Sequence, residues 1–323
     1  MFEHFRALDR PEDYSEERCR EIGALIEEIL ALKEREDAAI LAHNYQRPEI
    51  FEVADFVGDS LELAKRGREL PHSTIVLCGV HFMAETAKIL SPEKRVLIPD
   101  AQAGCSLADS VDADELVVRR DELRKQYPDL RVVSYVNTTA EVKAVSDACC
   151  TSSNALRVVE NIDSENILFV PDENLAAYVA RNTRKNIIPW HGNCYVHHQI
   201  RPEEIRRVRR LRPDLRVVAH PECREDVLAE ADAVLSTSGM IRYARESEAN
   251  DFLVVTECGL SDRLMLEVPN KRFYKACQLC QYMKMTTLEA TRECLRTGRH
   301  EILLPDDVCE RARAALERMI ELS

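Results

Sequence analysis

One arrangement of residues occurs three times in this chain, in one register and without gaps. ILAHNYQ begins at residue 40, VVSYVNT at 132 and VVAHPEC at 217. Each is an aliphatic or β-branched run, the pattern of a buried strand, that stops abruptly in polar residues. With His43, Tyr135 and His220 as anchors, Tyr45, Asn137 and Glu222 stand two residues on. Ser60, Ser152 and Thr237 stand 17 residues on. A second apolar run ends 36 residues after each anchor, at Gly79, Pro171 and Thr256. Three similar units are therefore expected, and a chain of 323 residues has the length for two or three domains of ordinary size.

Amphipathic stretches alternate with these runs, which argues for βα units and parallel sheets. Ser15 is placed to cap a first helix, with Ile22, Leu25, Ile26, Ile29 and Leu32 at helical spacing. PDDVCERARAALERMIEL reads as a last one. In open parallel sheets, ligands bind beyond the carboxyl ends of the strands, so the polar strand ends mark a candidate site. Ser60, Ser152 and Thr237 each stand just before an expected helix. There a hydroxyl can cap the helix, and the helix start can hold an anion.

A third apolar stretch in each unit leads to a cysteine: VLIPDAQAGC to Cys105, IIPWHGNC to Cys194 and FYKACQLC to Cys280. These lie 62, 59 and 60 residues after the anchors. A pseudo-threefold arrangement would bring three thiolates to one centre and leave one coordination position open. Zinc is one reading, with His197 offered as a fourth ligand. The paired CxxC motifs of structural zinc sites are absent, since Cys277 and Cys280 form the one CxxC. The spacing favours an iron–sulfur cluster with one open iron. Cys277, 57 residues after its anchor, is an alternative third ligand, a buried thiol or a redox partner for Cys280. The remaining cysteines, Cys19, Cys78, Cys149, Cys150, Cys223, Cys258, Cys294 and Cys309, are expected in the core.

The formal net charge is −13. Such a surface repels nucleic acid and anionic membranes while leaving room for a locally positive pocket. The start, MFEHFRALDRPEDYSEER, lacks the apolar centre of a secretory signal, and no apolar run reaches membrane-spanning length. A cytoplasmic location is expected, where thiols stay reduced and no disulfide framework forms.

The set AHNYQ, GDSLELA, CGVHFMAETAKIL, AGCSLADS, YVNTTAEVKA, CTSSNA, WHGNCYVH, AHPEC, STSGMI, TECGL and CQYMKM resembles the quinolinate synthases, iron–sulfur enzymes of de novo NAD synthesis. The resemblance runs from about residue 38 to about residue 290. Leu235 stands where a glycine is common in that family, and His198 where a glutamate is common. The resemblance implies three pseudo-threefold-related αβα sandwich domains with the active site at their common centre. The corresponding division is 38–128, 129–213 and 214–298, with a helical segment 1–37 before it and a helix within 299–323 after it. It implies a [4Fe–4S] cluster on Cys105, Cys194 and Cys280, deciding for Cys280 over Cys277. The implied reaction condenses iminoaspartate with dihydroxyacetone phosphate to give quinolinate, phosphate and water, with transient handover of iminoaspartate from an L-aspartate oxidase.

That chemistry needs an electrophilic metal, acid and base groups, and holders for two carboxylates and a phosphate. His43, His197 and His220 can move protons near neutral pH. Glu222 shares a strand face with His220 and is the foremost general-base candidate. Tyr45 and Tyr135 can exchange a proton at ring formation. Asn137, Ser60, Ser152, Ser236 and Thr237 offer neutral hydrogen bonds. An iron–sulfur sensor would not need three polar strand ends, a zinc-dependent lyase would lack cluster absorbance, and a plain binding protein would leave the cysteines idle.

Overall fold

The computed structural model describes residues 1–323. It contains three four-stranded sheets, and every strand pair in them is parallel. The first holds β1 (Ala38–His43), β2 (Phe56–Gly58), β3 (Thr74–Cys78) and β4 (Arg95–Leu97). The second holds β5 (Arg131–Tyr135), β6 (Ala148–Cys150), β7 (Asn166–Val170) and β8 (Asn186–Pro189). The third holds β9 (Arg216–Ala219), β10 (Ala233–Val234), β11 (Asp251–Val255) and β12 (Arg272–Lys275). The spatial orders are β2-β1-β3-β4, β6-β5-β7-β8 and β10-β9-β11-β12, one topology used three times. Strand order reverses between the two central strands, so each crevice opens beyond β1/β3, β5/β7 or β9/β11.

Local sequence explains the central strands. AAILAH and TIVLC are buried at every position, as continuous apolar runs must be when helices cover both faces of a sheet. An aspartate 12 residues after each anchor fixes the first strand. Asp55, Asp147 and Asp232 accept the backbone N–H of Ile40, Val132 and Val217 at 2.8, 2.8 and 2.7 Å. Each returns its own N–H to the carbonyl of the same residue. A cation stands by each carboxylate: Lys33 at 2.9 Å, Arg131 at 3.1 Å and Arg209 at 3.1 Å.

The helix preceding each sheet covers its outer face. Helix Glu16–Arg35 starts on Ser15, whose hydroxyl accepts from Arg18 N–H, and buries Ile22, Ile26 and Ile29 against Ile40, Ala42 and Val76. Helix Ala113–Arg124 places Leu116 and Leu123 against Val132, Leu168 and Val170. Helix Pro202–Leu211 places Ile205 against Val217, Leu253 and Val255. The inner faces merge into one apolar core that holds Leu41 and Leu77, Val133 and Phe169, and Val218 and Val254 together. Helix Leu288–Thr297 returns to the first unit, and the last helix, Asp306–Glu321, packs Ala315, Leu316 and Met319 into the shared core. No helix is long and apolar enough to cross a membrane.

Two cysteine assignments are corrected. Cys258 and Cys277 form a disulfide, with Cα atoms 5.1 Å apart. Cys258 is therefore not a free core thiol, and Cys277 does not pair with Cys280. Strand pairing is the reason: β11 and β12 are neighbours, so residues just beyond their ends are adjacent. Cys19, Cys78, Cys149, Cys150, Cys223, Cys294 and Cys309 are free and buried, as expected.

The aspartate straps give a test of the repeat. Asp147→Ala is expected to lower unfolding free energy by about 1–3 kcal/mol, the usual cost of orphaning a buried N–H bonded to a charged group. Urea denaturation measures it, and Asp55→Ala and Asp232→Ala should match it within about 1 kcal/mol.

Candidate active site and cysteine centre

The three crevices open into one central cleft. Strand ends place His43, Tyr135 and His220 on its wall, with Tyr45, Asn137 and Glu222 beside them. Ser60, Ser152 and Thr237 line it, as do Cys105, Cys194 and Cys280. His197, in the short helix Tyr195–His198, completes the polar wall. Val80, Phe82, Met83, Val196 and Met283 supply apolar surface. No lysine or arginine lines the cleft.

Ser236 does not line it. Its hydroxyl caps helix Thr237–Glu246 by accepting from Gly239 N–H at 3.2 Å, and it faces Asp59 at 3.4 Å. In the first and third units the cap thus lies one residue before the repeated hydroxyl, whereas in the second it lies two residues after Ser152. Asp59 caps helix Ser60–Glu69 in a reciprocal capping box with Glu62. Asn154 stands at the start of helix Ala155–Asn161 and accepts from Thr151 N–H. Ser60 and Thr237 are first helical residues, so their hydroxyls are spared from capping and can serve the cleft. Leu235 and His198, the two departures from the family pattern, are not on the cleft wall.

The three cleft cysteines differ from every other free cysteine in being only partly buried. Each precedes a short helical turn whose N–H groups face its sulfur: Ala108 and Leu107 for Cys105, His197 for Cys194, and Met283 and Tyr282 for Cys280. Burial nevertheless pushes Cys105 up to about 12 and raises the other two thiols. A metal that binds all three must displace protons. No fourth cysteine reaches the cleft. Three thiols on one cavity, each facing N–H donors, fit an iron–sulfur centre with one iron lacking a protein thiolate.

Histidine tautomers follow from the backbone. Tyr45 N–H donates to His43 Nδ1 at 3.2 Å, and Glu222 N–H to His220 Nδ1 at 3.4 Å. The proton of each neutral ring therefore sits on Nε2. Burial lowers both rings to about 3, so both are neutral donors at neutral pH. His197 is arranged differently. Its Nδ1 lies 2.6 Å from Glu222 Oε2 and 3.3 Å from Cys194 Sγ. Its Nε2 lies 2.9 Å from Thr256 Oγ1 and 3.4 Å from the Tyr45 hydroxyl, which is 2.6 Å from Thr256 Oγ1. Burial alone would raise Glu222, but His197 above all, with a hydrogen bond from Tyr135, outweighs it and holds the carboxyl well below its ordinary value. Glu222, His197 and Tyr45 thus form a continuous path for a proton.

Sequence reasoning did not find Thr256, Glu257, Asp172, Asp59 or Thr151 as parts of this site. Thr256 was on the page as the end of a repeated strand, and Asp172 and Glu257 each follow such an end by one residue.

A central cleft carrying a proton path and three ligand-capable thiols is that of an enzyme acting on small molecules. The chain belongs to the quinolinate synthetase A protein family, whose model matches residues 27–321. It is 50% identical over 304 residues to the quinolinate synthase of Thermodesulfovibrio yellowstonii, covering 93% of this chain and 99% of that one. It is 49% identical over 300 residues to the quinolinate synthase of Methanoregula boonei, covering 92% and 98%. With quinolinate synthase 1 of Methanosarcina acetivorans it shares 47% identity over 298 residues, covering 92% and 97%.

The capping arrangement separates two neighbouring positions. Ser236→Ala is expected to lower stability by about 1 kcal/mol, the usual loss of an N-cap. Ser60→Ala, a first-turn position capped by Asp59, should change it by less than about 0.5 kcal/mol. Urea unfolding curves of the two variants check both.

Proposed function

We propose that this protein is a quinolinate synthase that condenses iminoaspartate with dihydroxyacetone phosphate, releasing phosphate and water, at a [4Fe–4S] cluster on Cys105, Cys194 and Cys280. Convergence of three equivalent cysteines with three polar strand ends on one cleft carries this reading. When bound, the cluster supplies an open iron, a Lewis acid for a substrate oxygen or nitrogen.

The chain's own residues divide the remaining work. His43 and His220 present Nε2–H to the anionic substrates. Asn137, Tyr135, Ser60, Ser152 and Thr237 add neutral donors, and the starts of helices Ser60–Glu69 and Thr237–Glu246 favour a carboxylate or phosphate. Tyr45 gives up or takes back a proton through His197 Nε2. Glu222 holds His197 by Nδ1 and stabilises the imidazolium formed in that step, so the base is the Glu222–His197 pair rather than the carboxylate alone. The apolar wall limits water, which hydrolyses imines. For that reason we also propose transient handover of iminoaspartate from an L-aspartate oxidase. The proposed location is the cytoplasm, without membrane or nucleic acid partners.

Anaerobic purification with metal and sulfide analysis tests the centre. About four irons and four sulfides per chain are expected. Cys105→Ala, Cys194→Ala and Cys280→Ala should lose them, while Cys78→Ala and Cys150→Ala should keep them. Zinc without sulfide would instead support a lyase using Cys194, His197 and Glu222, whose ligand atoms lie within 4.8 Å of one another. A cluster whose spectrum ignores substrates and quinolinate would indicate a sensor.

The proton path makes a separate prediction. Glu222→Gln and Tyr45→Phe should keep fold and cluster, and turnover should fall by roughly 10² in each. Single-turnover assays on cluster-loaded protein measure it. Near-normal turnover in either variant would place the base elsewhere.

A further inference from the structure

We infer that Asp172 and Glu257 are positioning residues that hold Cys194 and Cys280 by their backbones, so that two of the three cysteines on the cleft are tethered and the third, Cys105, is not. This rests on the reading of these cysteines as cluster ligands.

The observations begin with register. Asp172 and Glu257 stand 37 residues after Tyr135 and His220, and the equivalent residue in the first unit is Val80. One backbone bond recurs in all three units. His81 N–H donates to Ala103 carbonyl at 2.7 Å, Glu173 N–H to Gly192 at 2.8 Å and Cys258 N–H to Gln278 at 3.2 Å. Each acceptor lies two residues before a cleft cysteine. A second, side-chain bond occurs in two units. Asp172 Oδ2 accepts Cys194 N–H at 3.1 Å, and Glu257 Oε1 accepts Cys280 N–H at 3.1 Å. Valine has no acceptor to offer Cys105.

Each carboxyl spends its other oxygen on the helix it precedes. Asp172 Oδ1 accepts Leu175 N–H at 2.7 Å, and Glu257 Oε2 accepts Gly259 N–H at 2.6 Å. Both side chains are fully buried. Burying a carboxyl group is costly unless its oxygens are satisfied, and an ordinary cap residue stays at the surface. The placement is explained by the cysteine loop, which needs an acceptor deep in the protein.

Glu257 has a further link. Lys284 Nζ lies 3.1 Å from its Oε1 and also donates to the Tyr45 carbonyl. The three groups close over Gly259, where an added Cβ would stand 2.6 Å from both Lys284 Nζ and Tyr45 O. The Cys280 loop of the third unit is thereby fixed to the strand end that carries Tyr45 in the first. Asp172 has no basic side chain within ion-pair distance, so its tether is the simpler of the two. Groups that orient metal ligands from behind commonly govern how tightly the metal is kept.

An amide keeps the shape but has one acceptor oxygen, so Asp172→Asn and Glu257→Gln must turn an NH₂ toward one of the two N–H groups. The test uses anaerobically reconstituted holoprotein and measures iron release to a ferrous chelator from the decay of cluster absorbance. Release is expected to be on the order of tenfold faster in each variant, the equivalent of one lost hydrogen bond. Asp112→Asn is the control, because Asp112 caps a surface helix through Asp114 and Glu115 N–H and touches no cysteine. It should release iron within about twofold of wild type.

Hydrogen exchange of the Cys194 and Cys280 amides in the metal-free protein gives a readout independent of the cluster. It should be faster in the matching variant alone. Should the amide variants fail to fold, Asp172→Glu and Glu257→Asp keep the acceptor but displace it, and a several-fold faster release is expected there. Wild-type rates in all these variants, or equal acceleration in Asp112→Asn, would overturn the tether while leaving the cluster reading standing. Wild-type protein that takes up no iron and sulfide would overturn both.

Discussion

Parallel pairing of β1 with β3, and of its two counterparts, governs the rest of the molecule. Parallel strands carry all their carboxyl ends on one side, and each connection must cross over a face of the sheet. Because the first and third strands of each unit are central, strand order reverses between them and a crevice opens at that point. Packing the three inner faces together directs the three crevices at one volume. Catalytic side chains and thiols then come from loops, whose chemistry can vary while the strands beneath stay fixed.

Much of this was legible in the sequence because it is written in register. The polar strand ends and the hydroxyls that follow keep constant spacing, the three cysteines keep it within three residues, and all of these line the cleft. Where one residue of a repeated stretch had to be chosen over its neighbour, spacing was insufficient. Ser236 and Thr237 are adjacent, and only backbone conformation shows that the first caps the helix while the second faces the cleft. Cys277 was read against its sequence neighbour, whereas the β11–β12 pairing joins it to Cys258. Asp172 and Glu257 were invisible for a different reason: the unit that carries Val80 breaks the pattern, so comparison of three copies gave no consensus at that position.

The polar wall shows how burial redistributes roles among residues of one type. Three histidines meet at the cleft, yet two accept a backbone N–H on Nδ1 and lose basicity through burial. The third meets a carboxylate and keeps a hydroxyl pair on its other nitrogen. Glu222 is likewise not an isolated base, because His197 stands directly on its carboxylate and offsets the cost of burial. Residue type proposed the chemistry, and hydrogen-bond partners sorted donors from proton carriers.

The merged apolar core also bears on how such a molecule can be divided. In a stacked repeat protein each unit touches only its neighbours, so units can be added or removed at the ends. Here residues from all three sheets share one core, the first unit receives a helix that follows the third sheet, and the last helix packs into the centre. No single unit retains a complete interior when cut out, and the cleft exists only where all three meet. Recombination between relatives at the unit boundaries therefore has to conserve the whole inner surface, so the three copies must change in concert rather than as exchangeable modules.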